Sequence, residues 1–301
     1  MINKEIILRS IFGGERQLTT KLAFNLSNLF RFALIVFAAT FLSFGRTQGN
    51  FYSPVPSKFN RGESLDYRLY LGAFTVGNAV ATVDSSYHIQ SNRICYKVYA
   101  VMENSGIMRL LSKVDGKWSS YIDTCELLPY SSYRLLKSGG NKIEESVIFD
   151  HDNNKTGAIK IENGNTKAAK TKIYTTPNNV RDIVSGFMYT RVINLAKCKL
   201  KDTLTITSFV EDTVYNFKIL YSGLETINSP LGKITCHKLI PIMPNNQYFQ
   251  GKNSVVAFIS ADRNQVLIRV NAKMFFGNAG IELVSHKGLR HQLKINAVKT
   301  K

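Results

Sequence analysis

The chain has 301 residues and carries 39 Lys and Arg against 21 Asp and Glu, a formal charge of +18. That length suffices for one large β domain or two small ones with a sizeable core. Four cysteines without a CxxC spacing exclude thioredoxin-type redox chemistry and a thiolate metal cluster. With neither GxGxxG nor GxxxxGKS/T present, nucleotide phosphates have no cradle.

The amino terminus reads as a leader. Residues 1–31 carry Lys4, Arg9, Arg16, Lys21 and Arg31 against Glu5 and Glu15, and Phe32–Phe44 follows as an uncharged apolar run. This is the pattern of a signal peptide, with a run too short for a comfortable membrane span. Ser43 and Gly45 are small residues placed for cleavage after Gly45. Residues 1–45 are therefore expected to be removed on export to the periplasm or outer surface of a bacterium. An uncleaved anchor is the alternative. No Cys lies near the junction, which argues against a lipoprotein. Losing the leader's +3 leaves +15 of the total +18. In the cytosol that charge would suggest nucleic acid. Export, and the scatter of Lys and Arg through the chain, argue against it. The remaining readings are a basic strand surface or attraction to anionic envelope material: lipid, lipopolysaccharide or acidic glycan.

Residues 46–61 contain two prolines and predict an extended lead-in along the surface. Period-two alternation then begins: Leu65, Tyr67, Leu69 and Leu71 against polar neighbours, and Phe74, Val76, Asn78 and Val80 against Ala73, Gly77, Ala79 and Ala81. The row of small residues would let a helix approach the sheet. Strand patterns continue at 94–102, 117–123, 130–137, 144–150 and 156–162, with a short helical turn at 106–113. Residues 178–197 form the one long helical pattern. Asn179 can cap it, Asp182 can reach back in a capping box, and Val180, Val184, Phe187, Met188, Val192 and Leu195 make an apolar face. Further strands are expected at 203–211, 214–221, 233–243, 254–261, 266–276, 281–285 and 289–297, with a tight turn at 277–280. The spacing predicts a mainly β fold: one antiparallel curled sheet or incomplete barrel over 62–301, braced by a central amphipathic helix. No repeat and no dividing linker is present.

In an oxidising compartment Cys95, Cys125, Cys198 and Cys236 suggest disulfides. A hairpin turning near residue 110 favours Cys95–Cys125, leaving Cys198–Cys236. No HxH, HxxH or HExxH spacing occurs among the five histidines, so no metal site is expected. Asp150, Asp152 and Asn154 resemble a calcium loop, but Lys155 and Ile161 stand where Gly and Glu are required, which predicts a hairpin tip. Trp118, the sole tryptophan, is a candidate ligand-contacting aromatic.

The order of several stretches resembles the exported bacterial family called domain of unknown function 3108. They are GESLDYRLYLGAFTVGNAVATV (62–83), YKVYAVMENSGIMRLL (96–111), WSSYIDTCELLPYSSYRLLKSGG (118–140), VIFDHDN (147–153), RDIVSGFMYTR (181–191) and SPLGKITCHKLIPIM (229–243). The resemblance implies a β-rich envelope domain, similar in outline to the sheet-plus-helix lipoprotein carriers, and brings no activity or cofactor. Asp182, Ser185, Tyr189 and Arg191 occupy the family's mid-chain polar pattern. Asp182, Ser185 and Tyr189 are spaced to share a helix face and are read with Arg191 as a headgroup-binding cluster. The expected function is a non-enzymatic envelope protein binding an amphipathic or apolar ligand, or a protein partner, in the concavity of the sheet. The alternatives are a hydrolase of envelope polymers and a structural subunit of an envelope assembly.

Overall fold

The computed structural model describes residues 58–242, 254–274 and 277–296. The leader, its cleavage point and most of the lead-in lie outside them. Among the described residues, fourteen antiparallel strands form one sheet in the order β8-β7-β6-β5-β4-β3-β2-β1-β14-β13-β12-β11-β10-β9. In the first meander, β1 is Ser64–Leu71, β2 Phe74–Gln90, β3 Arg93–Asn104, β4 Val114–Asp123, β5 Pro129–Ser138, β6 Asn141–Asp150, β7 Lys155–Glu162 and β8 Thr171–Thr175. In the second, β9 is Thr203–Val210, β10 Thr213–Ser229, β11 Gly232–Pro241, β12 Val255–Ser260, β13 Leu267–Met274 and β14 Gly277–Lys287. Every neighbouring pair is adjacent in sequence except β1 and β14, which join the two meanders from Ser64↔Lys287 to Leu71↔Ala279.

The sheet curls until its edges nearly meet without closing. Residues 176–182 run along the gap. Arg181 forms a single parallel bridge with Ser208 of β9, and the Thr176 and Thr156 hydroxyls are 2.8 Å apart. Across the seam, Tyr174 of β8 and Phe209 of β9 have ring centroids 5.0 Å apart, and Lys172 Nζ donates to Asp212 at 2.8 Å. The curled-sheet expectation is met.

Two α-helices among the described residues accompany the sheet. α1, Gly106–Leu111, links β3 and β4 as expected, and α2, Ile183–Val192, lies inside the curl against β3, β4 and β9. α2 is shorter than the 178–197 pattern. Its cap is Asp182, not Asn179, and Leu195–Lys197 forms a separate 3-10 turn. The amphipathic reading is also corrected. Val184, Ser185, Gly186, Phe187, Met188, Thr190, Arg191 and Val192 are all buried, because a helix enclosed by a curled sheet has no solvent face. The continuous apolar core that fills the interior includes Val184, Met188 and Leu195 together with Leu65, Met102, Ile122, Ile206 and Leu283.

Other expectations need correction. β8 was missed, and β2 and β10 are each 17 residues long. Residues 277–280 begin β14 and pair with β13. Past Gly288 the described residues form no strand, only a bridge between Asn296 and Lys233. Phe59, at the end of the lead-in, is buried against Tyr96 instead of lying on the surface. The Asp150–Asn154 stretch, by contrast, is the expected hairpin tip, where Asp150 accepts from Asn153.

All four cysteines are free thiols. The β3–β4 hairpin forms, but its register sets Cys95 opposite Asp123, and Cys125 lies beyond the strand end, exposed. Cys95 is buried, and burial pushes its thiol up to about 11. Cys236 is buried in β11 opposite Glu225 and Ser260, and burial raises it to about 12. Cys198 follows the 3-10 turn.

Candidate functional site

The nominated polar residues separate along α2. At its start, Asp182 accepts from the Val184 and Ser185 amides at 2.7 and 3.1 Å on Oδ1, and from Ser120 and Ser185 hydroxyls at 2.6 and 2.8 Å on Oδ2. Ser185 Oγ in turn accepts from the Asp182 amide at 3.0 Å, completing a capping box. Burial pushes the Asp182 carboxyl up despite these donors. With both oxygens engaged twice, this carboxylate fixes the helix to β4 and has little capacity left for a substrate.

Tyr189 lies under the Arg181 guanidinium, 3.8 Å from ring centroid to Cζ. Arg181 also donates to the Leu127 carbonyl, and burial pulls its pKa down to about 10. Arg191, at the far end of α2, is wholly buried. It pairs with Glu63, donates to the Asn264 carbonyl at 3.1 Å, and stacks 5.6 Å from the Phe59 ring. The structure therefore does not gather Asp182, Ser185, Tyr189 and Arg191 into one site. Asp182 and Ser185 tie the helix start to β4, and Arg191 ties its end to β1 and the β12–β13 turn.

Trp118 and Asp182 do line one cleft, beside the seam. Strand register places Trp118 of β4, Arg134 of β5, Glu145 of β6 and Lys160 of β7 directly opposite one another in a row. The cleft has about 30 Å³ of free volume, and Tyr133 and Phe209 complete its wall. Arg134 Nη1 donates to Glu211 in the β9–β10 turn at 2.6 Å. Arg134 Nε lies 3.1 Å from Glu145 Oε2 but out of line for a hydrogen bond, so this is an ion pair by proximity alone. Sequence reasoning missed Arg134 and Glu145, because their juxtaposition depends on the register of β5 with β6.

A second feature stands at one end of the sheet. Phe74, opening β2, is 76 % exposed and Leu110 of α1 is 86 % exposed, with Leu111 beside it. The Ser105 amide donates to the Val76 carbonyl, which holds α1 to β2. The β5–β6 turn lies at the same end, Gly139 standing beside Ser112. There too is the β7–β8 loop, where the Lys142 amide donates to Asn163. The acids here are paired: Glu103 and Asp115 with Arg109, Glu144 with Lys142, and Glu162 with Lys160. Exposed Lys137, Lys167 and Lys170 add positive charge beyond these pairs.

An antiparallel sheet wrapped round a buried helix and left open at one seam defines a β-barrel-like protein. Residues 66–284 match the model of the family described as protein of unknown function DUF3108, and the chain belongs to that family. Among solved structures, it is similar to a beta-barrel-like protein of domain of unknown function DUF1849 from Brucella abortus. The identity is 10 % and the TM-score 0.48, over 75 % of this chain and 98 % of that one. It is also similar to a Bacteroides fragilis protein with a YmcC-like fold, at 9 % identity and TM-score 0.33, over 76 % and 97 % of the two chains. No curated protein matches the chain in sequence.

Proposed function

We propose that the protein is exported and acts at the bacterial envelope as a non-enzymatic binding protein that docks on anionic lipid. The observation that carries this reading is the end of the sheet where Phe74 and Leu110 project beside uncompensated lysines. Isolated apolar side chains on a surface are ordinary. Two large ones this exposed, at the start of β2 and on α1 at one end of the sheet and set among positive charge, suit the interface of an acidic bilayer. The charge of +15 that remains of the total +18 once the leader is lost acts in the same sense at longer range. The core occupies the interior of the curl, so lipid is met on the outside, at this end. No helix among the described residues is long and apolar enough to cross a membrane.

Sedimentation of the full chain with vesicles tests the reading. Equimolar phosphatidylglycerol and phosphatidylcholine should bind it, pure phosphatidylcholine should bind it weakly, and added salt should loosen the first. The double substitution Phe74→Ser, Leu110→Ser should weaken binding at least about tenfold, since each apolar side chain is worth roughly 1–3 kcal/mol when buried. Any contribution of the leader is common to both proteins and drops out of the comparison. Equal binding by the two would overturn the reading and favour a subunit role in an envelope assembly.

A further inference from the structure

The outer wall of the first meander is apolar beside the seam, where strands facing water usually carry charge. Register sets Tyr133, Ser146 and Ile159 side by side on β5, β6 and β7, and in the next row Ile148, Gly157 and Ile173 on β6, β7 and β8. These positions face outward, since Val147, Phe149 and Ala158 between them pack in the interior. Ile148 and Ile173 are each 64 % exposed, and Ile159 is 37 % exposed. Ile173 leans over Gly157, where an added Cβ would stand 3.3 Å from its Cδ1, so the isoleucines adjoin as one ridge. Single exposed isoleucines are ordinary, but a contiguous group on neighbouring strands marks a surface that another body covers.

Charge and area indicate a second copy of this chain. Two copies of so basic a protein repel one another over most of their surface, and exposed Lys218, Lys273 and Lys287 stand on β10, β13 and β14. On β6 the charges lie toward the rims of the apolar rows, with Lys142 near the start of the strand and Asp150 at its end, both on the outward side. Glu144 is already held by Lys142 and by the Tyr133 hydroxyl. A two-fold axis crossing the strands at Ser146 sets Ile159 against its own counterpart and Lys142 of each copy against Asp150 of the other, opposite charges at both rims. From the Lys142 row to the Asp150 row, β5–β8 measure about 19 by 27 Å at roughly 4.8 Å per strand and 3.4 Å per residue, or about 500 Å² on each copy. The total of about 1,000 Å² lies at the low end for a specific interface. The association is therefore weak and depends on concentration.

We propose that the outer faces of β5–β8 in two copies of the chain pack together as a two-fold homodimer.

Sedimentation velocity of the full chain, at concentrations raised through the micromolar range, should show monomer passing into dimer. Ile148→Lys with Ile173→Lys replaces side chains already in water, so folding should be kept while association weakens at least about tenfold. Asp150→Lys should weaken association as well, and adding Lys142→Asp should restore it, because the opposed pair is rebuilt with its signs exchanged. A wild-type chain that stays monomeric throughout would overturn the proposal. So would equal association by the isoleucine variant, the result expected if residues 1–45 or another surface brought the copies together. Association that the charge exchange fails to restore would overturn the two-fold arrangement. The wild-type and isoleucine-variant measurements decide the role of this face even where a charge variant does not fold.

Discussion

Arg191 is a guanidinium with no solvent, held by Glu63, the Asn264 carbonyl and the Phe59 ring. Arg191→Leu strands the Glu63 carboxylate in the core and should cost about 3–5 kcal/mol, measured as a lower midpoint in urea. Arg191→Leu with Glu63→Leu should recover most of that loss, because a buried pair replaced by apolar groups is often neutral. A double variant no better than the single would mean that Arg191 acts through its carbonyl bonds. The sequence put Arg191 with Asp182, Ser185 and Tyr189 in one headgroup-binding cluster. Its partner Glu63 lies 128 residues away, and nothing local in either segment records that distance. Capping is a three-residue affair, so a box at this helix start was legible, but it was placed one step early, on Asn179 with Asp182, where the structure has Asp182 with Ser185. Glu145 was not legible, since its place beside Arg134 exists only once β5 and β6 are in register.

At the scale of elements, β4 explains much of the interior. Val114, Gly116, Trp118, Ser120 and Ile122 alternate inward, and the Trp118 indole folds back over Gly116, where a methyl would collide with it. Gly116→Ala should displace the ring, shift the fluorescence of the sole tryptophan, and cost about 1–3 kcal/mol by overpacking. An unchanged emission spectrum would count against this. Hairpins were the most readable elements, because alternation and turn residues are local signals. α2 was read too long and too amphipathic. The apolar spacing of Val180 and Leu195 fits a helical face, yet Val180 precedes the helix beside Phe149 and Phe209, and Leu195 belongs to the 3-10 turn. Tertiary enclosure also turned the polar side of the pattern inward. The disulfide expectation failed on register, since Cys125 lies two positions past Asp123, the partner of Cys95.

At the scale of the molecule, the sheet is weakest where it stays open. β8 has five residues, mostly exposed, and leans on β9 through side chains instead of a ladder. Exposed ion pairs such as Lys172–Asp212 contribute little. In hydrogen exchange, amides of β8 should exchange well before those of β1, β2 and β14, which are paired on both sides. Equal protection would mean that the seam closes in solution. The meander was legible in the sequence, but the joining of β1 to β14 was not, since antiparallel order along a chain does not say which distant strands meet.

That join has a consequence for biosynthesis. A nascent polypeptide emerging strand by strand can zip each newcomer to its predecessor, yet β1 must wait for β14, some 200 residues later. Until then two half-built walls each carry a raw hydrogen-bonding border, the kind of surface that recruits the wrong partner. A chain whose two walls meet only through the last described strand completes its architecture no earlier than the synthesis of that strand.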